Sequence, residues 1–193
     1  MNFAEYNVKD ANLEEVLLAL KSLDTVEAVA LGGSRSTGAS DENSDYDIYV
    51  YCAEIPTAET RENLLGKYCS IAEFGNHYWE SEDNTVMNNG VPVDIIYREV
   101  DRFGRYIDTV IKGGKAFNGY TTAFWHNIKN SKVLFDKTGT FTKFRDMAQI
   151  DFPENLRSAI IKNNRNLLNG KLPSYDRQIK KAQERGDIVS VNH

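Results

Sequence analysis

Ala30-Leu31-Gly32-Gly33-Ser34-Arg35-Ser36-Thr37-Gly38-Ala39-Ser40-Asp41-Glu42-Asn43-Ser44-Asp45-Tyr46-Asp47-Ile48-Tyr49-Val50 decides how the rest of this chain is read. An apolar, β-branched run (Val26, Val29, Leu31) meets Gly32-Gly33-Ser34. There the missing side chains let the backbone turn sharply and let a bulky anion approach the N–H groups. A strand feeding a phosphate-sized nest is expected. In Asp45-Tyr46-Asp47-Ile48-Tyr49-Val50, side chains two apart share one face of a strand, so Asp45 and Asp47 point together. Two bare carboxylates at one spot repel, whereas a hard cation such as Mg²⁺ is suited to one or two carboxylates plus phosphate oxygens. A nest beside a carboxylate pair reads as a metal–nucleotide site; the bland alternative is a polar turn followed by a strand with solvated acids.

Gly32-Gly33-Ser34-Arg35, Gly38 and Ser44-Asp45-Tyr46-Asp47 closely resemble the signature of the DNA polymerase β-like nucleotidyltransferase superfamily, in particular its small bacterial antibiotic adenylyltransferases of the aminoglycoside and lincosamide type. The resemblance implies an α+β nucleotidyltransferase fold, a mixed β-sheet covered by helices. It implies that Gly33 and Ser34, with Gly32 and Arg35 beside them, hold a triphosphate. Asp45 and Asp47 would hold two Mg²⁺ ions, and a third carboxylate is expected on a later strand.

The segment Val91-Pro92-Val93-Asp94-Ile95-Ile96-Tyr97 supplies a candidate for that acid. Val91, Val93, Ile95 and Tyr97 share one face and leave Asp94 on the other with Ile96. A lone edge-strand charge is the alternative. With the upstream pair in place, Asp94 is expected to complete one metal's shell and to take the acceptor's hydroxyl proton. Arg35 is a candidate for phosphate pairing through its fork of donors, against the alternative of an arginine capping a turn.

Around this centre the periodicity predicts a helix over residues 12–20 with Leu13, Val16, Leu17 and Leu20 on one stripe and Asn12 and Glu15 as a capping box. A second helix is expected from Thr57 to about Ala72. Strand pieces follow at His77-Tyr78-Trp79, Thr85-Val86-Met87 and residues 91–97, with a hairpin turn at Asn88-Asn89-Gly90. Helices are predicted over 100–111 and 121–130, and a strand over Lys132–Asp136 whose Phe-Asp-Lys-Thr-Gly ending resembles the last catalytic-sheet strand of these enzymes. Beyond Pro153 two helical runs, split by Gly170-Lys171-Leu172-Pro173, are expected. The reading is thus a catalytic domain over residues 1–150 and a C-terminal helical segment over 151–193, short of the fuller bundle that the resemblance leads one to expect.

Composition narrows the function. The 193 residues are 41% hydrophobic and 26% charged, ordinary for a globular chain, and a net charge of −5 disfavours a long nucleic acid as main partner. No run of residues approaches a membrane span and the start lacks the order of a signal peptide, so a cytoplasmic protein is expected. Cys52 and Cys69 read as reduced thiols, Cys69 on a helix. His77, His126 and His193 lack zinc-ligand spacing. Tyr78 and Trp79 are expected in the core, and Glu80 and Asp83 as solvated edge charges.

The activity expected is transfer of a nucleoside monophosphate, AMP, from ATP to a hydroxyl of a small-molecule acceptor, with release of pyrophosphate. The alternatives are transfer to a protein side chain and a non-catalytic, antitoxin-like nucleotide-binding module. Apolar stripes on the last two helices lead to the expectation of a homodimer.

Overall fold

A computed structural model describes residues 10–38, 41, 44–170 and 174–191; the expected break at Gly170–Pro173 lies largely outside them, as does His193. The chain divides into two compact units, one formed by residues 1–106 and 124–149, the other by 107–123 and 150–193.

In the first unit, α1 (Ala11–Lys21) buries Leu13, Val16, Leu17 and Leu20, the stripe read from the sequence. Its N-cap is Asp10 rather than Asn12: the Asp10 carboxylate accepts from the N–H groups of Asn12 and Leu13, which a box starting at Asn12 would leave unsatisfied. Each of those leucines contributes ~1.5–3 kcal/mol by leaving water.

A six-stranded mixed sheet follows, built from β1 (Val26–Leu31), β2 (Tyr46–Cys52), β3 (Cys69–Asn76), β4 (Ser81–Met87), β5 (Pro92–Glu99) and β6 (Lys132–Asp136) in the order β3-β4-β5-β2-β1-β6. Only β2 and β5 pair in parallel; the other neighbours are antiparallel. That parallel pair forms the centre of the sheet, and its near-continuous apolar burial (Ile48, Tyr49, Val50, Tyr51; Ile95, Ile96, Tyr97) marks strands covered on both faces. The short α2 (Gly33–Thr37) links β1 toward β2.

The second helix, α3, runs only over Ala58–Leu65 and passes through a 3₁₀ turn (Gly66–Tyr68) into β3. Residues 69–72 are therefore strand, not helix, and Cys69 opens β3. The helical spacing of Leu64, Leu65 and Tyr68 is overridden because β4 takes this segment into its ladder, with Cys69 opposite Met87 and Ile71 opposite Val86. His77-Tyr78-Trp79 lies in a bend outside the ladder, and Tyr78 and Trp79 are 70% and 92% exposed rather than in the core. Nor are Glu80 and Asp83 solvated: Glu80 is paired with buried Arg98, and Asp83, fully buried, with Arg61 at 3.0 Å.

The helices α4 (Val100–Ile111) and α5 (Ala123–Asn130) arise as expected. A helix not foreseen, α6 (Thr140–Ala148), begins after Gly139, buries Phe141, Phe144 and Ala148, and is capped by Asp136, whose carboxylate accepts from the Thr142 N–H at 3.0 Å. In the second unit lie α7 (Glu154–Asn169), α8 (Tyr175–Glu184) and α9 (Ile188–Val191). Among the described residues no helix is long and apolar enough to cross a membrane, and Cys52 and Cys69 are free thiols.

Candidate active site

The glycine pair is dictated by β2. Gly32 donates its N–H to the Asp47 carbonyl at 2.8 Å, so the chain leaving β1 still rides on β2 as it turns. A Cβ on Gly32 would stand 2.2 Å from the Tyr49 ring, and one on Gly33 would stand 1.8 Å from the Asp47 carboxylate. Gly33 also has φ of +59°, a left-handed conformation that side chains disfavour. The turn therefore lies directly on the side chains of residues 47 and 49. Past it, Ser36 Oγ donates to the Gly33 carbonyl at 2.8 Å, and Gly38, at φ +79°, closes the short helix by donating to the Ser34 carbonyl. The N–H groups of Gly33, Ser34 and Arg35 open that helix and have no acceptor within it.

Arg35 turns toward the loop before β2. Its guanidinium donates to the Ser44 carbonyl at 2.9 Å and the Asp45 carbonyl at 3.0 Å, and stacks 4.1 Å from the centre of the Tyr46 ring. It thereby fixes the approach to Asp45. From β6, Lys132 Nζ reaches the Arg35 carbonyl at 3.4 Å, which brings a second cation to the turn.

Asp47 and Asp94 are register partners on the parallel β2–β5 pair, so they sit side by side on one sheet face. Asp45, two residues before Asp47 and just outside the strand, is exposed. Burial pushes the Asp47 carboxyl up to about 6, and the negative charges of Asp45 and Asp94 push the same way. The charges of Asp45 and Asp94 thus both reach Asp47. Among the described residues, no three His, Cys, Asp or Glu side chains stand close enough to chelate one ion. The arrangement is instead a strand pair with a third acid at its margin. That donor set fits Mg²⁺, which dehydrates reluctantly and is held through one or two carboxylates with substrate phosphates and water.

Two groups that alternation along the sequence did not single out complete the face. Asn84 on β4, the register partner of Asp94, donates Nδ2 to Asp94 Oδ1 at 2.9 Å. Arg98, two rungs beyond Ile96 on the same face, is buried, forms a two-pronged pair with Glu80 at 2.8 and 2.7 Å, and stacks 4.1 Å from the centre of the Tyr49 ring that underlies Gly32. His77 and His126 stand apart from these groups in any hydrogen bond the described residues make with the aspartates.

A family model described as a nucleotidyltransferase domain matches residues 13–117. No curated protein matches the chain. Among solved structures the chain is similar to Cid1 in complex with its short product ApU, at 17% identity and a TM-score of 0.36 over 53% of this chain and 35% of that one. It is similar to a toxin–antitoxin with AMP-PNP, at 14% identity and a TM-score of 0.39 over 91% of this chain and 96% of that one. It is also similar to a nucleotidyltransferase-like protein from Exiguobacterium sibiricum 255-15, at 10% identity and a TM-score of 0.39 over 92% of this chain and 48% of that one. The chain spans about a third of the first of these and about half of the last. The span of the family model covers more than half of the chain and includes the glycine turn and all three aspartates, so the chain belongs to the nucleotidyltransferase domain family.

Proposed function

We propose that this protein is a metal-dependent nucleotidyltransferase that moves AMP from ATP to a hydroxyl of a small-molecule acceptor and releases pyrophosphate. The observation that carries the reading is the Asp47–Asp94 rung, with Asp47 pushed up to about 6 by burial and by its acidic neighbours, lying directly beneath a glycine turn whose first N–H groups have no acceptor within its short helix. A buried carboxylate with a raised pKa, beside two more acids, is stabilised when cationic charge arrives.

In this reading Asp45 and Asp47 would hold the Mg²⁺ ions, two being expected, and Asp94 would be the further carboxylate facing them. When bound, the ions supply charge neutralisation for the triphosphate and the leaving pyrophosphate and lower the pKa of the acceptor hydroxyl. The N–H groups of Gly33 and Ser34 grip phosphate oxygens, with Gly32 allowing the close approach. Arg35 contributes by pinning residues 44 and 45, and its donors left over from that task would pair with phosphate oxygens. Asp94 would take up the acceptor proton as it is released; its Oδ1 already accepts from Asn84. We place the protein in the cytoplasm, where free thiols such as Cys52 and Cys69 persist.

The test is incubation with labelled ATP, Mg²⁺, aminoglycosides, lincosamides and a cell extract, followed by mass analysis of whatever gains the label. Label on a small molecule is the expected result. Label on protein makes the acceptor a side chain, and tight ATP binding with no transfer makes the chain a non-catalytic module.

We also propose that residues 151–193 form an appended helical part through which the protein dimerises. Ile161 and Leu168 on α7 and Tyr175 and Ile179 on α8 are exposed, a stripe that a symmetric contact would cover. Light scattering across a concentration series is expected to show a dimer; a strict monomer that binds ATP tightly overturns this.

A further inference from the structure

A line of side chains crosses three strands and ends on Asp94. Asn76 on β3 donates Nδ2 to Asn84 Oδ1 at 2.8 Å, and Asn84 on β4 donates Nδ2 to Asp94 Oδ1 at 2.9 Å. At the outer end Asn76 Nδ2 also donates to Glu73 Oε2 at 3.2 Å. The direction of this relay is forced. An ionised carboxylate can only accept, so an amide beside Asp94 must present its NH₂, and its carbonyl is then left to accept from Asn76. Both ends of the line are carboxylates and both links are amides: Asn84 donates at one side while accepting at the other, and Asn76 donates at both.

We propose that Asn84 is a positioning residue for the third metal-binding carboxylate: it locks the Asp94 rotamer so that Oδ2 is presented to the site, with Asn76 fixing Asn84 in turn. The inference rests on the proposed function, because it needs Asp94 to be a ligand. The sheet explains why an amide is required here. Asn84 and Asp94 are opposite one another across the β4–β5 pair, close enough for direct contact, and Glu82 lies one diagonal away on the same face. An acid at position 84 would repel Asp94, an apolar residue would leave its carboxylate free to rotate, and a longer side chain would push it aside. Asn84 is the neutral donor among these acids. Among the described residues Asp94 Oδ2 accepts from no other donor, so one oxygen is held and the other is left for a ligand.

Groups that hold a ligand's free end alter metal affinity by about 10–100-fold when removed. The experiment uses the full chain and two probes: Mn²⁺, with free ion counted by electron paramagnetic resonance, and α,β-methylene-ATP, whose binding is measured by calorimetry with EDTA and again with Mn²⁺. In the Asn84→Leu variant, close in shape but without a donor, Mn²⁺ bound together with the nucleotide is expected to weaken ~10–100-fold, while nucleotide binding in EDTA stays within about twofold of wild type. Asn84→Gln, which keeps the amide but moves it, is expected to restore little. Asn76→Leu, which touches nothing at the metal and leaves Asn84 free to flip, is expected to weaken Mn²⁺ by a smaller factor, ~3–10-fold. If Asn84→Leu does not fold, Asn76→Leu decides, and unchanged Mn²⁺ affinity there overturns the proposal. Unchanged Mn²⁺ affinity in a folded Asn84→Leu variant overturns it as well, as does an equal loss of metal and of nucleotide in EDTA, which would make Asn84 a merely structural residue. If wild type itself takes up no Mn²⁺ with the nucleotide, the proposed function fails and this inference falls with it, a result distinct from the others.

Discussion

An Asp47→Asn variant is expected to fold normally and to transfer nucleotide at least ~10³-fold more slowly than wild type, since a lost metal carboxylate removes several kcal/mol of charge stabilisation and each 1.36 kcal/mol is tenfold in rate. The amide matches the carboxylate in shape, so Gly33 and Gly32 keep their close packing on β2. What disappears is the charge at the centre of the face, the one that both Asp45 and Asp94 oppose. Product formation from labelled ATP, followed over hours, checks this. Turnover near the wild-type rate would show that the metal assignment is wrong.

The same variant carries an opposite expectation for stability. In the folded chain Asp47 titrates at about 6 against an ordinary 3.8, so the folded state holds the proton more tightly than the unfolded one. Unfolding then becomes easier as pH rises through that window, because ionised Asp47 is opposed by burial and by its neighbours. A two-unit shift corresponds to ~3 kcal/mol, and solvent screening at a partly exposed group reduces this to about 1–2 kcal/mol. In EDTA at pH 8, Asp47→Asn is therefore expected to melt ~2–6 °C above wild type, with the gap closing toward pH 4. Thermal unfolding at both pH values measures it. A variant less stable than wild type at pH 8 would mean that the carboxylate is not held under repulsion.

How far this was legible in the sequence depends on what each residue needed. Strand alternation alone put Asp94 on the face opposite Val93, Ile95 and Tyr97, and the glycine pair beside Asp45 and Asp47 marked the turn, because both are local patterns. The parallel register that sets Asp47 beside Asp94 is not local, since α3, β3 and β4 intervene between β2 and β5. For the same reason Asn84 passed unnoticed: an asparagine in a strand acquires meaning only once its partner across the ladder is known to be Asp94. Glu80 and Asp83 read as solvated because the arginines that neutralise them, Arg98 and Arg61, lie elsewhere in the chain, and charged residues are buried only when paired. Tyr78 and Trp79 were misplaced in the core by their β propensity, which describes fit to a half-buried pleat and says nothing of a bend outside it.

The second large effect is expected at Gly33. A Gly33→Val change meets two obstacles, a φ of +59° that β-branched residues resist and a Cβ 1.8 Å from the Asp47 carboxylate. The backbone must move or Asp47 must leave its rotamer, so the nest and the metal carboxylate are disturbed together. Binding of α,β-methylene-ATP with Mg²⁺ is expected to fall ~100-fold or more, about 3 kcal/mol by the usual conversion, whereas adenosine, which uses neither group, is expected to lose little. Gly38 supplies the control, because its φ is +79° but a Cβ there meets nothing within 4 Å. Alanine at either position carries a similar conformational strain of ~1 kcal/mol, so Gly33→Ala and Gly38→Ala should lower the melting temperature comparably from that source. Only the change at 33 collides with Asp47. A loss of triphosphate affinity confined to Gly33→Ala and Gly33→Val then reports that collision rather than backbone strain. Calorimetry on the three variants decides it: if Gly33→Ala binds the triphosphate as tightly as Gly38→Ala does, or if adenosine affinity falls in step with it, the turn over Asp47 is not where the phosphates are held.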